Sequence, residues 1–205
     1  MKVKLISVTP EAEKTMMYCA RVSNPANQNS EDSGLLKYCT KNGHWSIFEM
    51  ASMVVEIETS RAISAQILRH RSFSFQEFSQ RYAKVQSFEI YEARSQDIKN
   101  RQNSVDDMSE ADREWFAGTQ YEVQEFAQKY YEEALDRGIA KEQARFLLPM
   151  AASTKLYMNG TLRSWIHYLN LRCGNGTQKE HADIAHAIKD IFKRELPTVS
   201  EALEW

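Results

Sequence analysis

Cysteine, glycine-rich motifs and an excess of either charge are all scarce in this 205-residue sequence. The three cysteines, Cys19, Cys39 and Cys173, are odd in number and widely spaced, which argues against a disulfide framework or a cysteine-based zinc site. Neither a GxGxxG pattern nor a P-loop occurs among the seven glycines, so the usual glycine-rich nucleotide cradles are excluded. The formal net charge is −2, so any attraction for phosphate must be local.

Long hydrophobic runs are also missing. No stretch of about 18 apolar residues occurs, so no membrane span is expected, and the opening MKVKLISVTP lacks the layout of a secretory signal. With the cysteine usage, these absences predict a cytoplasmic setting. The composition, 42% hydrophobic and 26% charged, is typical of a globular protein with a sizeable core. The length favours one domain, residues 1–205, over two small ones.

The hydrophobic pattern predicts long helices interleaved with a few strands. Met53, Val55 and Ile57 alternate with more polar residues, as in a half-buried strand. A long helix is expected from about Ser109 to Gly138. Its apolar residues at helical spacing are Phe116, Val123, Ala127, Tyr130 and Ala134. A second clear stripe consists of Leu162, Trp165, Ile166 and Leu169. This order of elements indicates an α+β fold. The polar segment 84–107 shows no pattern, which is typical of a functional or disordered loop.

The stretch RHRSFSFQEFSQRY, residues 69–82, concentrates positive charge among hydroxyls and aromatic rings. Arg69 and Arg71 flank His70, so a regular backbone points them in different directions and they could reach two anionic groups. Guanidinium groups match phosphate and stay charged when partly buried. Two other interpretations remain at this point: a solvated face, or a patch for single-stranded nucleic acid. The net charge disfavours the second, and we expect no nucleic-acid partner.

Several motifs, in a fixed order along almost the whole chain, point to one family. Arg69-His70-Arg71, seven residues, then Ser79-Gln80-Arg81 resembles the RHR-x7-S-x-R signature of the flavin-dependent thymidylate synthases. Further segments resemble other blocks of that family. They are ARVSNP (20–25), NGHWSIFEM (42–50), NRQNS (100–104), RGIAKEQARFLLP (137–149), TLRSWIHYLNLR (161–172) and TQKE (177–180).

The resemblance implies a fold, a reaction and an assembly. The fold is α+β, with a twisted, mostly antiparallel sheet among several long helices. The reaction is reductive methylation of dUMP to dTMP, with 5,10-methylenetetrahydrofolate as carbon donor and NADPH-reduced FAD as hydride source. The assembly is a homotetramer whose active sites are shared between subunits. A relative that keeps flavin but has lost or changed its substrate is the nearest alternative.

The resemblance also implies roles for individual residues. Arg172 matches the residue that activates the pyrimidine in the family. A fixed cation can do this because it stabilises negative charge that develops on the ring. The positions that match flavin contacts are His44, Ser46, Arg69, His70, Arg71, Glu77, Thr161, Arg163 and His167. The positions that match nucleotide contacts are Gln66, Arg69, Glu77, Ser79, Gln80, Arg81, Arg145 and Arg172.

Some positions depart from the family pattern or need a plainer interpretation. Thr161 stands where an asparagine is usual, and either its hydroxyl or the nearby Asn159 could fill that role. Cys173 is adjacent to Arg172, yet a packing thiol is the better interpretation than a nucleophile. His181 and His186 lack partners at ligand spacing, so no metal site is predicted.

Overall fold

The computed structural model describes residues 1–30 and 32–205. Its strands are β1 (Lys2–Val8), β2 (Ser52–Ser60), β3 (Ser74–Glu77), β4 (Ser95–Gln96), β5 (Ser104–Val105) and β6 (Ser153–Thr161). Four of them form an antiparallel sheet in the order β1–β2–β6–β3, and β4 pairs with β5 in a small separate hairpin. The predicted α+β fold with a mostly antiparallel sheet is confirmed.

The helices are α1 (Ala12–Ala20), α2 (Gly34–Lys41), α3 (Arg61–Ile67), α4 (Glu110–Asp136), α5 (Lys141–Ala144), α6 (Leu162–Arg172), α7 (Lys179–Glu195) and α8 (Pro197–Ala202). Helix α6 packs against β6 and α7, and α7 also contacts β1 and α3. Among the described residues, no helix has both the length and the apolar character that crossing a bilayer requires.

The main core lies between the sheet and helices α6 and α7. The predicted alternation in β2 is confirmed, since Met53, Val55 and Ile57 are fully buried. The predicted stripe of α6 is buried as well, and Trp165 donates from Nε1 to the carbonyl oxygen of Met53 at 2.9 Å. The Thr161 hydroxyl begins α6 by accepting from the Ser164 N–H. This helix is therefore fixed to the sheet at both its start and its middle.

Helix α4 begins and ends where the sequence predicts, but its buried face differs from the prediction. Val123 and Tyr130 are 52% and 49% exposed. Gln120 and Gln124 face the protein instead. The Gln120 side chain accepts from the Tyr91 N–H and donates to the Tyr91 carbonyl, and Gln124 donates to the Glu89 carbonyl. Polar side chains thus hold the unpatterned segment, because its backbone has few ladder partners.

Two helices begin without a side-chain cap, although a hydroxyl residue lies near each start. Thr9 does not cap α1. Its hydroxyl accepts from the Ser52 N–H at 2.9 Å, and the helix starts only at Ala12. Ser60 precedes α3 without a capping bond and accepts instead from the Tyr91 hydroxyl. In both cases a contact distant in sequence takes the hydroxyl that a local cap would have used.

Candidate active site

The arginine-rich stretch begins in the turn that follows α3. Helix α3 ends at Ile67, so Arg69 and Arg71 lie on an irregular backbone. Both arginines are exposed, and neither forms an ion pair with any residue in 1–30 or 32–205. Two uncompensated guanidinium groups side by side form a local anion-attracting surface on a slightly acidic chain.

His70, between them, is half-buried and contacts Arg172 at the end of α6. Arg172 donates from Nε to Nε2 of His70 at 2.9 Å. Burial, together with the nearby Arg172 charge, lowers the pKa of His70 to about 4. His70 is therefore neutral near pH 7 and able to accept. This contact joins two of the sequence motifs across 102 residues.

A buried aromatic group lies beside this contact. The Tyr168 ring stands edge-on to His70, with centroids 4.8 Å apart. The Tyr168 hydroxyl forms a 3.0 Å hydrogen bond with Nε2 of His181. Burial raises the pKa of Tyr168. Burial, then the Arg172 and His70 charges, lowers the pKa of His181 to about 4. Both side chains are therefore uncharged near neutral pH.

Glu77, at the end of β3, is held by three donors. Its Oε1 accepts from the Ser64 hydroxyl at 2.6 Å and the Thr154 hydroxyl at 3.0 Å. Arg61 forms an ion pair with the same oxygen at 2.6 Å. The carboxylate is thus fixed in place, and its second oxygen accepts no hydrogen bond from any of the described residues.

Gln66, near the end of α3, belongs to a chain of polar contacts that reaches α7. Gln66 donates to the side-chain oxygen of Gln178 at 2.6 Å, and Gln178 donates to Glu180 at 2.8 Å. Glu180 is buried and paired with Arg94. This polar chain ties the segment before β4 to the helix that precedes the arginine-rich turn.

Arg81 and Arg145 meet at one acidic residue. Arg81 donates from Nε to the Glu142 carboxylate at 3.1 Å, and Arg145 donates from Nε to the Glu142 carbonyl at 3.1 Å. Two other predicted nucleotide contacts precede Arg81 directly. The Ser79 hydroxyl accepts from the Arg81 N–H at 3.4 Å, and Gln80 is buried. The predicted nucleotide-binding residues of two distant motifs are therefore brought together.

The remaining predicted flavin contacts surround the short 3₁₀ helix Trp45–Glu49. His167 stands edge-on to Trp45 at 5.2 Å, and Arg163 pairs with Glu49 at 2.6 Å. Ser46 is exposed and lies within this turn. His44, which precedes it, contacts the Tyr38 ring at 5.7 Å. Of the two alternatives at the usual asparagine position, the Thr161 hydroxyl is occupied in capping α6, whereas Asn159 is exposed.

Most of the predicted residues are exposed or partly exposed in the single chain, and they lie outside two of its clefts. Within residues 1–30 and 32–205, one cleft of about 610 Å³ lies between the N-terminus and residues 83–90. Another of about 440 Å³ lies beside the N-terminal half of α4. Neither is lined by a predicted site residue. A smaller cleft of about 240 Å³ is lined by Glu77, and the other predicted residues form separate groups on the chain.

Sequence reasoning missed several residues that support these groups. Arg61 and Glu142 hold predicted residues by charge, and Arg94 anchors the polar chain through Glu180. No pattern in the sequence indicated those pairs. Tyr168 could have been found, because it precedes Arg172 by four residues and so shares its helical face.

Known proteins share the sequence and the fold of this chain. A model of the Thy1 family, described as thymidylate synthase complementing protein, matches residues 4–198. The chain is 54% identical to the flavin-dependent thymidylate synthase of Synechocystis sp., with full coverage of both chains. It is equally similar, again over the full length, to the probable flavin-dependent thymidylate synthase of Paramecium bursaria Chlorella virus 1.

A solved structure shows the same fold. The UMP/dUMP methylase PolB of Streptomyces cacaoi, crystallised with 5-Br dUMP, superposes with a TM-score of 0.88 at 26% identity. The match covers 99% of this chain and 94% of that one. The family that the sequence motifs predict is confirmed. The chain belongs to the flavin-dependent thymidylate synthase family.

Proposed function

We propose that this chain methylates dUMP to dTMP through a site built on its unpaired arginines. Thymidylate synthesis that depends on a flavin is the activity of the family, and the chain is an enzyme of this methyltransferase type. The finer statements are part of the proposal: FAD is the flavin, NADPH reduces it, and 5,10-methylenetetrahydrofolate donates the carbon. The observation that carries the proposal is the contact between Arg172 and neutral His70 beside two exposed arginines.

The donor set fits a dinucleotide cofactor and a nucleotide. FAD carries a pyrophosphate and dUMP carries a monophosphate, so both need cationic donors. Arg69 and Arg71 form no ion pair among the described residues, and Arg172 contacts a neutral imidazole rather than a carboxylate. No carboxylate neutralises these three guanidinium groups, and their N–H donors match the oxygens of a phosphate group. Bound phosphate groups would therefore pair with them.

Most of the predicted residues have a binding role, and Arg172 has the role of activating the pyrimidine. Arg69, His70 and Arg71 hold the flavin side, where reduced FAD supplies the hydride. Arg81 and Arg145 bind the nucleotide phosphate once it displaces their contact with Glu142. Glu77, fixed by its three donors, offers its free carboxylate oxygen to a ligand N–H or hydroxyl. The other residues assigned to ligand contact are His44, Ser46, Gln66, Ser79, Gln80, Thr161, Arg163 and His167.

Arg172 activates the pyrimidine. A guanidinium fixed beside the ring stabilises negative charge that develops on it, which increases the nucleophilicity of the ring carbon. A covalent adduct with cysteine is then unnecessary. The properties of Cys173 support this view: burial raises the pKa of its thiol, so the thiolate that a nucleophile requires is disfavoured.

Assembly into a homotetramer with shared sites is part of the proposal. Most of the predicted residues are exposed or partly exposed in one chain, and we propose that other subunits close the site. Helix α4 carries an exposed apolar face consisting of Trp115, Val123, Phe126 and Tyr130, with Trp115 68% and Phe126 60% exposed. Large exposed apolar faces of this kind mark association surfaces. We also propose that residues 1–205 form one domain and that the enzyme works in the cytoplasm, in keeping with its three unpaired cysteines.

UMP is a second candidate substrate. The neighbour PolB is named as a methylase of UMP as well as dUMP. The higher identity to thymidylate synthases favours dUMP here. An assay with either nucleotide in turn separates the two possibilities.

The experiment measures product formation by the purified protein with FAD, NADPH, methylenetetrahydrofolate and dUMP, and then omits each component in turn. We expect dTMP only when all four are present. The variant Arg172→Ala should fold and bind flavin but form no dTMP. Full activity of Arg172→Ala would remove this residue from its proposed role.

A further inference from the structure

Two buried polar side chains beside Arg172 have no part in the reaction proposed above. Tyr168 is 2% exposed and His181 is fully buried. They come from different helices, α6 and α7, and are joined by the hydrogen bond between the Tyr168 hydroxyl and Nε2 of His181. Burying polar groups costs free energy that an apolar pair would not require. Their presence beside the active-site arginine therefore calls for a functional reason.

The rings of Tyr168 and His181 both pack against the His70 ring, and with Phe73 they form the His70 wall. The Tyr168 ring is edge-on to the His70 ring, with centroids 4.8 Å apart and planes at 81°. The His181 ring is also edge-on, at 6.0 Å and 81°. Phe73 completes the wall at 6.5 Å and 89°. Three rings that meet His70 edge-on leave its imidazole little freedom to turn.

The orientation and charge of His70 matter because of what it does for Arg172. A guanidinium has only donors, so Nε2 of His70 must be unprotonated to accept from Nε of Arg172. A protonated His70 would present an N–H and a positive charge to Arg172, and the contact would break. Arg172 therefore keeps its position only while His70 is neutral and correctly turned.

We propose that Tyr168 and His181 are positioning residues for Arg172. They hold the His70 ring neutral and edge-on, so that its Nε2 keeps the Arg172 guanidinium aimed at the pyrimidine. The inference deepens the proposed function and rests on the role assigned there to Arg172.

The groups around His70 agree with this role. From α6 it faces Arg172 and Tyr168, and from α7 it faces His181. Tyr168 and His181 are both uncharged near neutral pH, since burial raises the pKa of the phenol and lowers that of the imidazole. Arg172 is then the one charge that these three side chains present to His70. Loosening the wall would admit water and let His70 take up a proton at higher pH.

The test compares His181→Gln with the matched control His186→Gln, which changes an exposed histidine on the same helix. Imidazole NMR signals of labelled protein give the pKa of His70 without any ligand. We expect His181→Gln to raise that pKa toward the ordinary value of about 6.5. The acid limb of the kcat profile should move to higher pH in parallel. At pH 8, kcat should fall about threefold to tenfold, the size of one hydrogen bond. The control should match the wild type.

A purely structural role gives a different result. If the pKa of His70 stays near 4 in His181→Gln and all kinetic and binding constants fall together with stability, the inference is wrong. Should that variant fail to fold, Tyr168→Phe decides, because it keeps the ring and removes only the hydroxyl that holds His181. An unshifted acid limb in Tyr168→Phe would then overturn the inference. Failure of the proposed function gives a different result from failure of this inference. If Arg172 has no catalytic role, Arg172→Ala stays active regardless of the pKa of His70.

Discussion

Gly160 lies on β6 directly beneath the aromatic ring of Phe73, and the substitution Gly160→Ala should disturb the site through that ring. A Cβ added at Gly160 would lie 2.4 Å from Cδ1 and 2.5 Å from Cε1 of Phe73. Carbon atoms pack at about 3.5–4.0 Å, so the ring must move by roughly 1 Å. It cannot move freely, because it is packed edge-on against Trp165 at 4.7 Å and against Tyr168 at 5.7 Å.

The magnitude follows from two opposing effects. Overpacking a core costs about 1–3 kcal/mol, whereas replacing glycine within a strand returns about 0.5–1 kcal/mol. We expect a net loss of about 1–2 kcal/mol in the free energy of unfolding. Phe73 also packs edge-on against His70. The rate of dTMP formation should therefore fall by more than the loss of folded protein explains.

The assay is urea unfolding at one fixed protein concentration, with Gly118→Ala as the matched control. Gly118 lies within α4, where an added Cβ meets nothing within 4 Å. The same substitution should stabilise the protein there by about 0.5–1 kcal/mol. A Gly160→Ala protein whose unfolding midpoint equals or exceeds that of the wild type would refute the packing argument.

Two further predictions concern buried charge. Glu180→Gln leaves Arg94 buried without its charged partner and should lower the free energy of unfolding by about 3–5 kcal/mol. The exposed pair of Lys37 and Glu201 provides the control, because Glu201→Gln should leave urea unfolding unchanged. If both variants lose stability equally, burial does not govern these pairs. Stability should also fall as the pH drops from 6.5 to about 4, because the unfolded chain protonates His70 and His181 while the folded chain, with pKa values of about 4, does not. Urea unfolding measured at pH 7 and pH 5 checks this, and equal stability at both would contradict the burial of neutral imidazoles.

Elements with one dominant local signal could be predicted from the sequence. The alternation of Met53, Val55 and Ile57 and the stripe of α6 each match a single period, and both segments are buried as expected. The start of α4 near Ser109 was equally clear, and in the structure the Ser109 hydroxyl accepts from the Asp112 N–H. In these segments local preference and tertiary packing agree.

The inward face of α4 could not be predicted, because hydrophobicity alone does not decide it. Gln120 and Gln124 face inward to satisfy the backbone of an extended segment, and Val123 and Tyr130 face outward. Such bonds depend on where the segment before β4 lies, which local sequence does not specify. The outward apolar side chains have a reason only if another subunit covers them.

The sequence motifs predict which residues form the candidate site, but they do not predict the contacts between those residues. The motifs identified Arg172 and His70, yet no spacing in the sequence indicated that they touch. The supporting pair, Tyr168 and His181, comes from two helices that meet only in the folded chain. In the sequence, His181 is considered only as a metal ligand and dismissed, whereas the structure places it against His70, which accepts a hydrogen bond from Arg172.

The central claim is that guanidinium groups from distant parts of the chain converge on a flavin and a pyrimidine nucleotide. The most direct measurement is a crystal structure of the assembled protein with FAD and dUMP bound. The account predicts Arg69, Arg71, Arg81 and Arg145 within hydrogen-bonding distance of ligand oxygens, and Arg172 against the pyrimidine. Ligands held elsewhere, with these side chains left in solvent in every subunit, would contradict it.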